Sequence, residues 1–394
     1  MGRALDLLMT LTRVGVSLVC LVLAASCATE IVEEEPPALG DDDDFDEMAA
    51  SGGIAVGIAD SDASTFASPL WADSGVIRLR VIVPYDVATR PTTDPRRQEF
   101  DTWLLAAPAN ATLNIGLHRI NEPDRPGYGH APDEKTYRDA FAAFRQQYGG
   151  YLDRMRIDPW NEPNFDPKNG SRALLPGGKY YLDDPNGACA ASSPTVASCG
   201  PRMAAYYYRW AAVDCPSCQL EAGDFAGTQS SVYIQRYKRH LGDHRPKVWA
   251  IHNYADVIRY QVSNEHEPAE LKTFLREIYC LPGHHCTSQT NWSSGVVWVT
   301  ATAANYSLAC SGHPGLNCPA GQVKVLGSAN QCRAAAFIMR FGNVDPRVTR
   351  VYFYTFMDGS DPTTSDDTGL VSKDGLTPRR AYHVLRDRAK SCTF

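Results

Sequence analysis

Glu162 lies within Trp160-Asn161-Glu162-Pro163-Asn164, directly after an apolar, β-rich run. A carboxyl ending a strand beside a tryptophan has what a general acid requires: an apolar neighbour that favours the protonated form until a leaving group arrives. A second polar group, His252-Asn253-Tyr254-Ala255-Asp256, follows a later run of the same kind. Arg80 interrupts another, His118-Arg119 and Asp224 end two more, and Phe356 comes just after the last. Each also has a structural reading. The glutamate could cap a turn, the histidine and tyrosine could be packed, and Arg80 could form a buried salt bridge.

These residues need elements to bring them together. Apolar β-rich runs recur eight times: Ile54–Ile58, Val76–Val83, Thr112–Leu117, Met155–Trp160, Gln219–Ala222, Val248–Ile251, Val296–Thr300 and Val348–Tyr354. Helical spacing fills several gaps: Arg96–Leu104, Asp133–Gln147, Met203–Val213, Glu267–Tyr279, Ala334–Phe341 and Arg379–Lys390. Strands apolar nearly throughout, alternating with helices, predict a parallel sheet covered on both faces. Eight such units predict an α/β fold, a (β/α)8 TIM barrel with enlarged, disulfide-stapled loops. No Gly-rich phosphate loop follows the first strand, which argues against an open nucleotide-binding sheet. Barrel active sites lie at the carboxyl ends of the strands, where Glu162, His252, His118 and Asp224 fall, with Arg80 on the second strand. The longest insertion, Asp166–Gly200, follows the fourth strand and is expected to be a stapled active-site loop.

Trp-Asn-Glu-Pro ending strand four resembles the acid/base signature of the large (β/α)8 glycoside hydrolase clan. More closely, the chain resembles a bacterial group of exported glycoside hydrolase-like barrels. The matching pieces are Arg80–Asp86, Pro159–Asn164, His252–Asp256, Arg350–Tyr354 and Gly369-Leu370-Val371 with Asp374-Gly375. The likeness covers roughly residues 53 to 390. It implies a carbohydrate substrate or ligand, with Glu162 as acid/base and Asn161 on a sugar hydroxyl. It further implies His252 against substrate, Tyr254 and Arg80 steadying a nucleophile, His118 and Asp224 lining the mouth, and Phe356 as an aromatic platform or barrel-top packing.

The departure is on strand seven, Val297-Trp298-Val299-Thr300-Ala301-Thr302, where the clan carries Thr-Glu. Alanine at 301 can neither attack a sugar nor stabilise its cationic transition state. No glutamate follows Glu277, so strand seven holds no shifted replacement. Retention needs two carboxyls ~5 Å apart; an inverting scheme needs ~6.5–9.5 Å and could use Asp224 or Asp256 as base. The alternatives are therefore a working glycosidase or a catalytically silent glycan-binding surface lipoprotein.

The chain's 394 residues carry a net charge of −7, with no basic cluster suggesting nucleic acid. Residues 1–27 read as a signal peptide of lipoprotein type. Arg3 and Arg13 precede the apolar run Val14–Leu23, and Ala24-Ala25-Ser26 leads to Cys27. The run falls short of the ~20 apolar residues that span a bilayer. Lipidation of Cys27 would attach the protein to a membrane at the cell envelope; otherwise it is secreted. Residues 28–52 are acidic, with Glu33-Glu34-Glu35 and Asp41–Asp44, and read as a disordered tether ahead of a barrel over 53–394. Ten further cysteines fall into close pairs, Cys189/Cys199, Cys215/Cys218, Cys280/Cys286 and Cys310/Cys318, with Cys332 and Cys392 over. In an exported chain these predict disulfides, although Cys215-Pro-Ser-Cys218 also fits a redox motif or half a zinc site. No cofactor or metal is expected.

Overall fold

The computed structural model describes residues 53–118, 132–164, 199–227, 231–280, 293–310, 322–358 and 366–393. Signal, tether, most of the long insertion and Arg119 lie outside them. The principal strands are β1 (Ala55–Ala59), β2 (Arg78–Pro84), β3 (Thr112–His118), β4 (Met155–Asp158), β5 (Gln219–Leu220), β6 (Ala222–Ala226), β7 (Val248–His252) and β8 (Val296–Thr302). Two short strands, β9 (Ser307–Ala309) and β10 (Val323–Val325), pair antiparallel with each other. β11 (Val348–Phe353) completes the set.

One parallel sheet runs in the order β5-β4-β3-β2-β1-β11-β8-β7-β6. β5 and β6 are two halves of one run broken at Glu221, one half pairing with β4 and the other with β7. The sheet therefore closes on itself as an eight-stranded barrel. The intervening helices are α1 (Pro69–Ser74), α2 (Pro95–Ala106), α3 (Glu134–Gln147), α4 (Cys199–Asp214), α5 (Ser231–Leu241), α6 (Tyr254–Ser263), α7 (Ala269–Tyr279), α8 (Gly327–Ile338) and α9 (Arg380–Arg386). All eight expected strands are present. The sequence reading missed α1, α5 and α6, and it placed α8 several residues late.

The helix α3 shows how local sequence sets an element. Asp133 accepts from the amide of Thr136 at 2.7 Å and caps the start. Tyr137, Ala140, Phe141 and Phe144 then recur at helical spacing and are buried against the barrel. Burying each phenylalanine contributes about 1.5–3 kcal/mol, so Phe141 or Phe144 is where a single truncation would loosen the layer.

The strands correct one expectation. They are not apolar throughout but alternate. Val56 and Ile58, Leu79 and Val81, Leu113 and Ile115, Met155 and Ile157, and Val297 and Val299 belong to the apolar layer shared with the helices. The residues between them face the interior. There Arg80 reaches Asp224, Asn114 reaches Glu221, and Arg350 lies 3.9 Å over the Trp298 ring. The middle of this barrel is ionic, and its apolar core is the annulus between strands and helices.

Cys215–Cys218 and Cys332–Cys392 are disulfides, the second joining the two cysteines that the sequence left unpaired. Cys280 and Cys310 are also disulfide-bonded. The Cys215–Cys218 bond follows the carboxyl end of α4. Redox thiols are activated at a helix amino end, where the dipole favours thiolate, so this location gives no such help.

Candidate active site

Past β4 the backbone turns sharply, and Glu162 takes a left-handed conformation with φ 47°. Asp224 in β6 does the same with φ 41°, following Gly223 at φ 106°. Side chains other than glycine seldom occupy this region, and such residues cluster at functional sites. Hydrogen bonds hold the turn: Asn161 N donates to Leu117 O at 2.8 Å, and Glu162 N to Asp224 O at 3.1 Å. The Asn164 side chain pairs with both polar groups of Ala226, accepting from its amide at 2.9 Å and donating to its carbonyl at 3.2 Å. It thus does the work of a ladder bond between the fourth and fifth barrel strands. Nothing in the sequence singled out Asn164 for that role.

The Glu162 carboxylate meets His252 Nδ1 at 2.6 Å, and the other face of that imidazole has Nε2 3.4 Å from Asp224 Oδ1. Arg80 donates to Asp224, and also to Asn161 Oδ1 at 2.6 Å. Thr300 Oγ1 completes the set by donating to Asp224. Gly116 leaves room for this crossing, since a Cβ there would stand 3.2 Å from the Arg80 guanidinium. His252 is 2% exposed and Asp224 fully buried, whereas the Glu162 side chain keeps 19% of its surface open. Glu162 alone of the three is placed to meet a ligand.

Electrostatics divide these groups into two kinds. Burial alone would raise the Asp224 carboxyl, but Arg80, His252 and the Thr300 hydroxyl outweigh it and hold Asp224 well below the usual carboxylate range. Burial opposes charge on His252, yet Asp224 and Glu162 together hold its pKa above the ordinary histidine value. Beneath them, burial and then the Asp224 and Glu221 charges push Asp158 far up, which favours its protonated form. Burial and Asp224 likewise push Glu221 up to about 8. The site thus sets an ionised pair, Asp224 and Arg80, which favours charge on His252, above carboxyls that favour the protonated form.

The remaining expected residues separate. Asn161 is buried and oriented by Arg80. The Tyr254 ring stands edge-on to His252 at 6.0 Å and His118 edge-on to Trp160 at 5.9 Å, both at the carboxyl ends of strands. Trp160 itself is sunk among Tyr85, Tyr137 and Tyr207, with the last at 4.8 Å. Phe356 is a correction: it is fully buried, its ring packed against Trp71 at 5.1 Å and Tyr382 at 6.1 Å, so it offers no face to a sugar. The exposed aromatic after β11 is Tyr354, 45% accessible. Asp256 is likewise spent, accepting from the amides of Glu270 and Leu271 at 3.0 Å each and capping α7. Ala301 is buried, with its backbone paired to His252 and Asn253. The β8 side chain that enters the charged layer is Thr300. Among the described residues, no group of three or more His, Cys, Asp or Glu side chains is arranged to hold a metal ion.

No protein-family model and no curated protein matches the chain. Among solved structures it is similar to the GH53 catalytic domain of Ignisphaera aggregans, with a TM-score of 0.51 and 14% identity over 85% of this chain and 96% of that one. The fold is a (β/α)8 barrel, the fold shared with that domain. Native xylanase 10B of Thermotoga maritima follows, with a TM-score of 0.49 and 13% identity over 86% of this chain and 96% of that one. A calcium-binding mutant of Bacteroides uniformis β-glucuronidase 2 has a TM-score of 0.47 at 12% identity, covering 85% of this chain. The chain spans only 36% of that longer protein.

Proposed function

We propose that this barrel acts on or binds a carbohydrate, with Glu162 as the acid/base group of its cleft and position 301 lacking the nucleophile of a retaining glycosidase. The observation that carries the reading is the 2.6 Å contact between Glu162 and His252 at the carboxyl ends of their strands. The imidazolium can return a proton to the one partly open carboxylate of the cluster, which is what an oxygen leaving group requires. Asn161, held by Arg80, and the exposed Tyr354 supply a hydrogen-bonding group and an aromatic face of the kinds sugars use.

The second reading, a silent glycan-binding surface lipoprotein, draws support from Asp224. That carboxylate is already engaged by Arg80, Thr300 and His252 and is closed to solvent. A base that activates water must have a free lone pair beside the water. By comparison with other enzymes stripped of a nucleophile, loss of the carboxylate at 301 corresponds to about 10³–10⁶ in rate.

The test is a hydrolysis screen on aryl glycosides and polysaccharides with the parent, Glu162→Gln and Ala301→Glu, alongside calorimetric titration with oligosaccharides. Turnover by the parent that Glu162→Gln abolishes supports an enzyme. Oligosaccharide binding without turnover supports the silent reading. Neither turnover nor binding removes both. We also infer export with lipidation at Cys27; mass spectrometry of membrane-extracted protein, against a Cys27→Ser control, would detect the acyl chains.

A further inference from the structure

Asp158 is a buried carboxyl that the cleft chemistry leaves unused. It ends β4, just ahead of the turn that carries Glu162, and is closed to solvent. Its Oδ1 accepts from the Trp160 amide at 3.1 Å, which fixes the first step of that turn. Its Oδ2 is buried too, and among the described residues no group donates to it. The side chain it bonds is instead another carboxyl, that of Asp224. Two carboxylates cannot both be charged at hydrogen-bond range in a site without water, so one of them holds a proton.

The surroundings decide which one. Asp224 Oδ2 is met by Arg80, and its Oδ1 by the Thr300 hydroxyl and, at 3.4 Å, by His252 Nε2. A carboxylate has about four lone-pair positions, so one is left for a further donor. Among the described residues, no cation is in hydrogen-bond contact with Asp158. Burial acts on it first, then the Asp224 and Glu221 charges, with Arg80 pulling the other way. Tyr137 of α3 and Tyr237 of α5 also feel its charge, and burial pushes both phenols well above their ordinary range. The proton therefore belongs on Asp158.

We propose that Asp158 is a positioning residue that acts as a neutral acid, donating its proton to Asp224 while its carbonyl oxygen holds the Trp160 amide. It thereby ties the turn that carries Glu162 to the carboxylate that His252 faces. β6 already fixes that turn through the backbone, Glu162 N donating to Asp224 O at 3.1 Å. Asp158 adds a side-chain link between the same two elements. Because the linking group is uncharged, it orients Asp224 without adding a second negative charge beside it. The role rests on the reading of Glu162 as the acid/base group, but the bond itself does not and can be measured without a sugar.

The experiment compares the full chain with Asp158→Asn and Asp158→Leu. An asparagine amide can make the same two bonds, donating to Asp224 and accepting from Trp160, whereas leucine can make neither. Infrared difference spectra near neutral pH, parent minus Asp158→Asn, should show the carbonyl band of a protonated carboxylic acid; the subtraction cancels Glu221. A nearby charge moves a pKa by about 1–3 units, so exchanging one neutral group for another should leave the His252 titration midpoint in place by nuclear magnetic resonance. The Trp160 amide should stay protected from exchange in Asp158→Asn and exchange about tenfold faster in Asp158→Leu, with a lower urea midpoint for leucine. None of these readouts depends on turnover, so an inactive barrel leaves the result intact. A carboxylate band in place of the acid band would overturn the proposal, as would a His252 midpoint that falls by about a unit or more in Asp158→Asn. So would an Asp158→Asn variant as destabilised as Asp158→Leu.

Discussion

The amide of Glu162 donates to the carbonyl of Asp224 at 3.1 Å, and both residues hold left-handed backbone at the ends of neighbouring barrel strands. The two carboxylates are therefore set by one backbone link and read by one imidazole, that of His252. Glu162 faces outward into the cleft; Asp224 faces the interior and fixes the charge of its neighbours.

Arg80 is the counter-ion on which that arrangement depends. Replacing it by methionine leaves Asp224 buried with His252 as its remaining cationic partner. Breaking a buried ion pair by removing one side costs about 3–5 kcal/mol. Urea unfolding should show a loss of that order for Arg80→Met, and a smaller one for Arg80→Met with Asp224→Asn, because the double variant leaves no orphaned charge.

Glu221 makes the barrel sensitive to alkali. Its folded pKa, about 8, lies above the unfolded value of about 4.3. The folded state holds a proton that the unfolded chain releases, so this contribution is complete below about pH 4 and is lost as pH rises through about 8. Glu221→Gln should melt on the order of 5 °C higher than the parent at pH 9 and show little difference at pH 4. Thermal melts across that range would measure it.

His252 adds a second loss of the same sign in a different window. Its folded pKa is raised, so its stabilising charge is complete below the unfolded value of about 6.5 and disappears as pH climbs through the folded one. His252→Gln should flatten the stability profile above about pH 6.5 while leaving the Glu221 contribution below it intact. Chemical-shift titration of the imidazole would locate the transition directly.

Of the two disulfides with both cysteines among the described residues, Cys332–Cys392 closes a loop across a sequence separation of 60 residues, against 3 for Cys215–Cys218. Chain-entropy arguments give about 4 kcal/mol for the first and about 2 kcal/mol for the second. Cys332→Ser with Cys392→Ser should therefore lower the urea midpoint more than Cys215→Ser with Cys218→Ser.

Alternating β-rich and helical runs made the eight strands legible, because each strand carries outward Val, Ile and Leu that no other environment would accept. Trp160-Asn161-Glu162 was legible for a different reason: its chemistry needs those residue types in that order. What escaped was tertiary. α5 reads as a basic, aromatic stretch, and only its packed side, Tyr233, Ile234, Tyr237 and Leu241, declares a helix. Phe356 and Tyr354 differ by two positions, and the path of the chain beyond β11 decides which of them reaches solvent. Glu221 was invisible as well: it fell within the expected strand Gln219–Ala222, and only the closed barrel shows its carboxyl buried beside Asn114.

The ionic interior also fixes alignment. Arg80 and Asp224, and Asn114 and Glu221, meet across the lumen from strands that are not neighbours in the sheet. If any one strand slid by a single residue, its inward and outward rows would exchange. An arginine or aspartate would then face the annulus of phenylalanines and valines, while a leucine faced a ring of unmatched charges. A barrel filled with leucine and valine would tolerate neighbouring alignments at modest cost. Here the polar centre works as a combination lock, giving up some stability so that only one stagger of the eight strands can close.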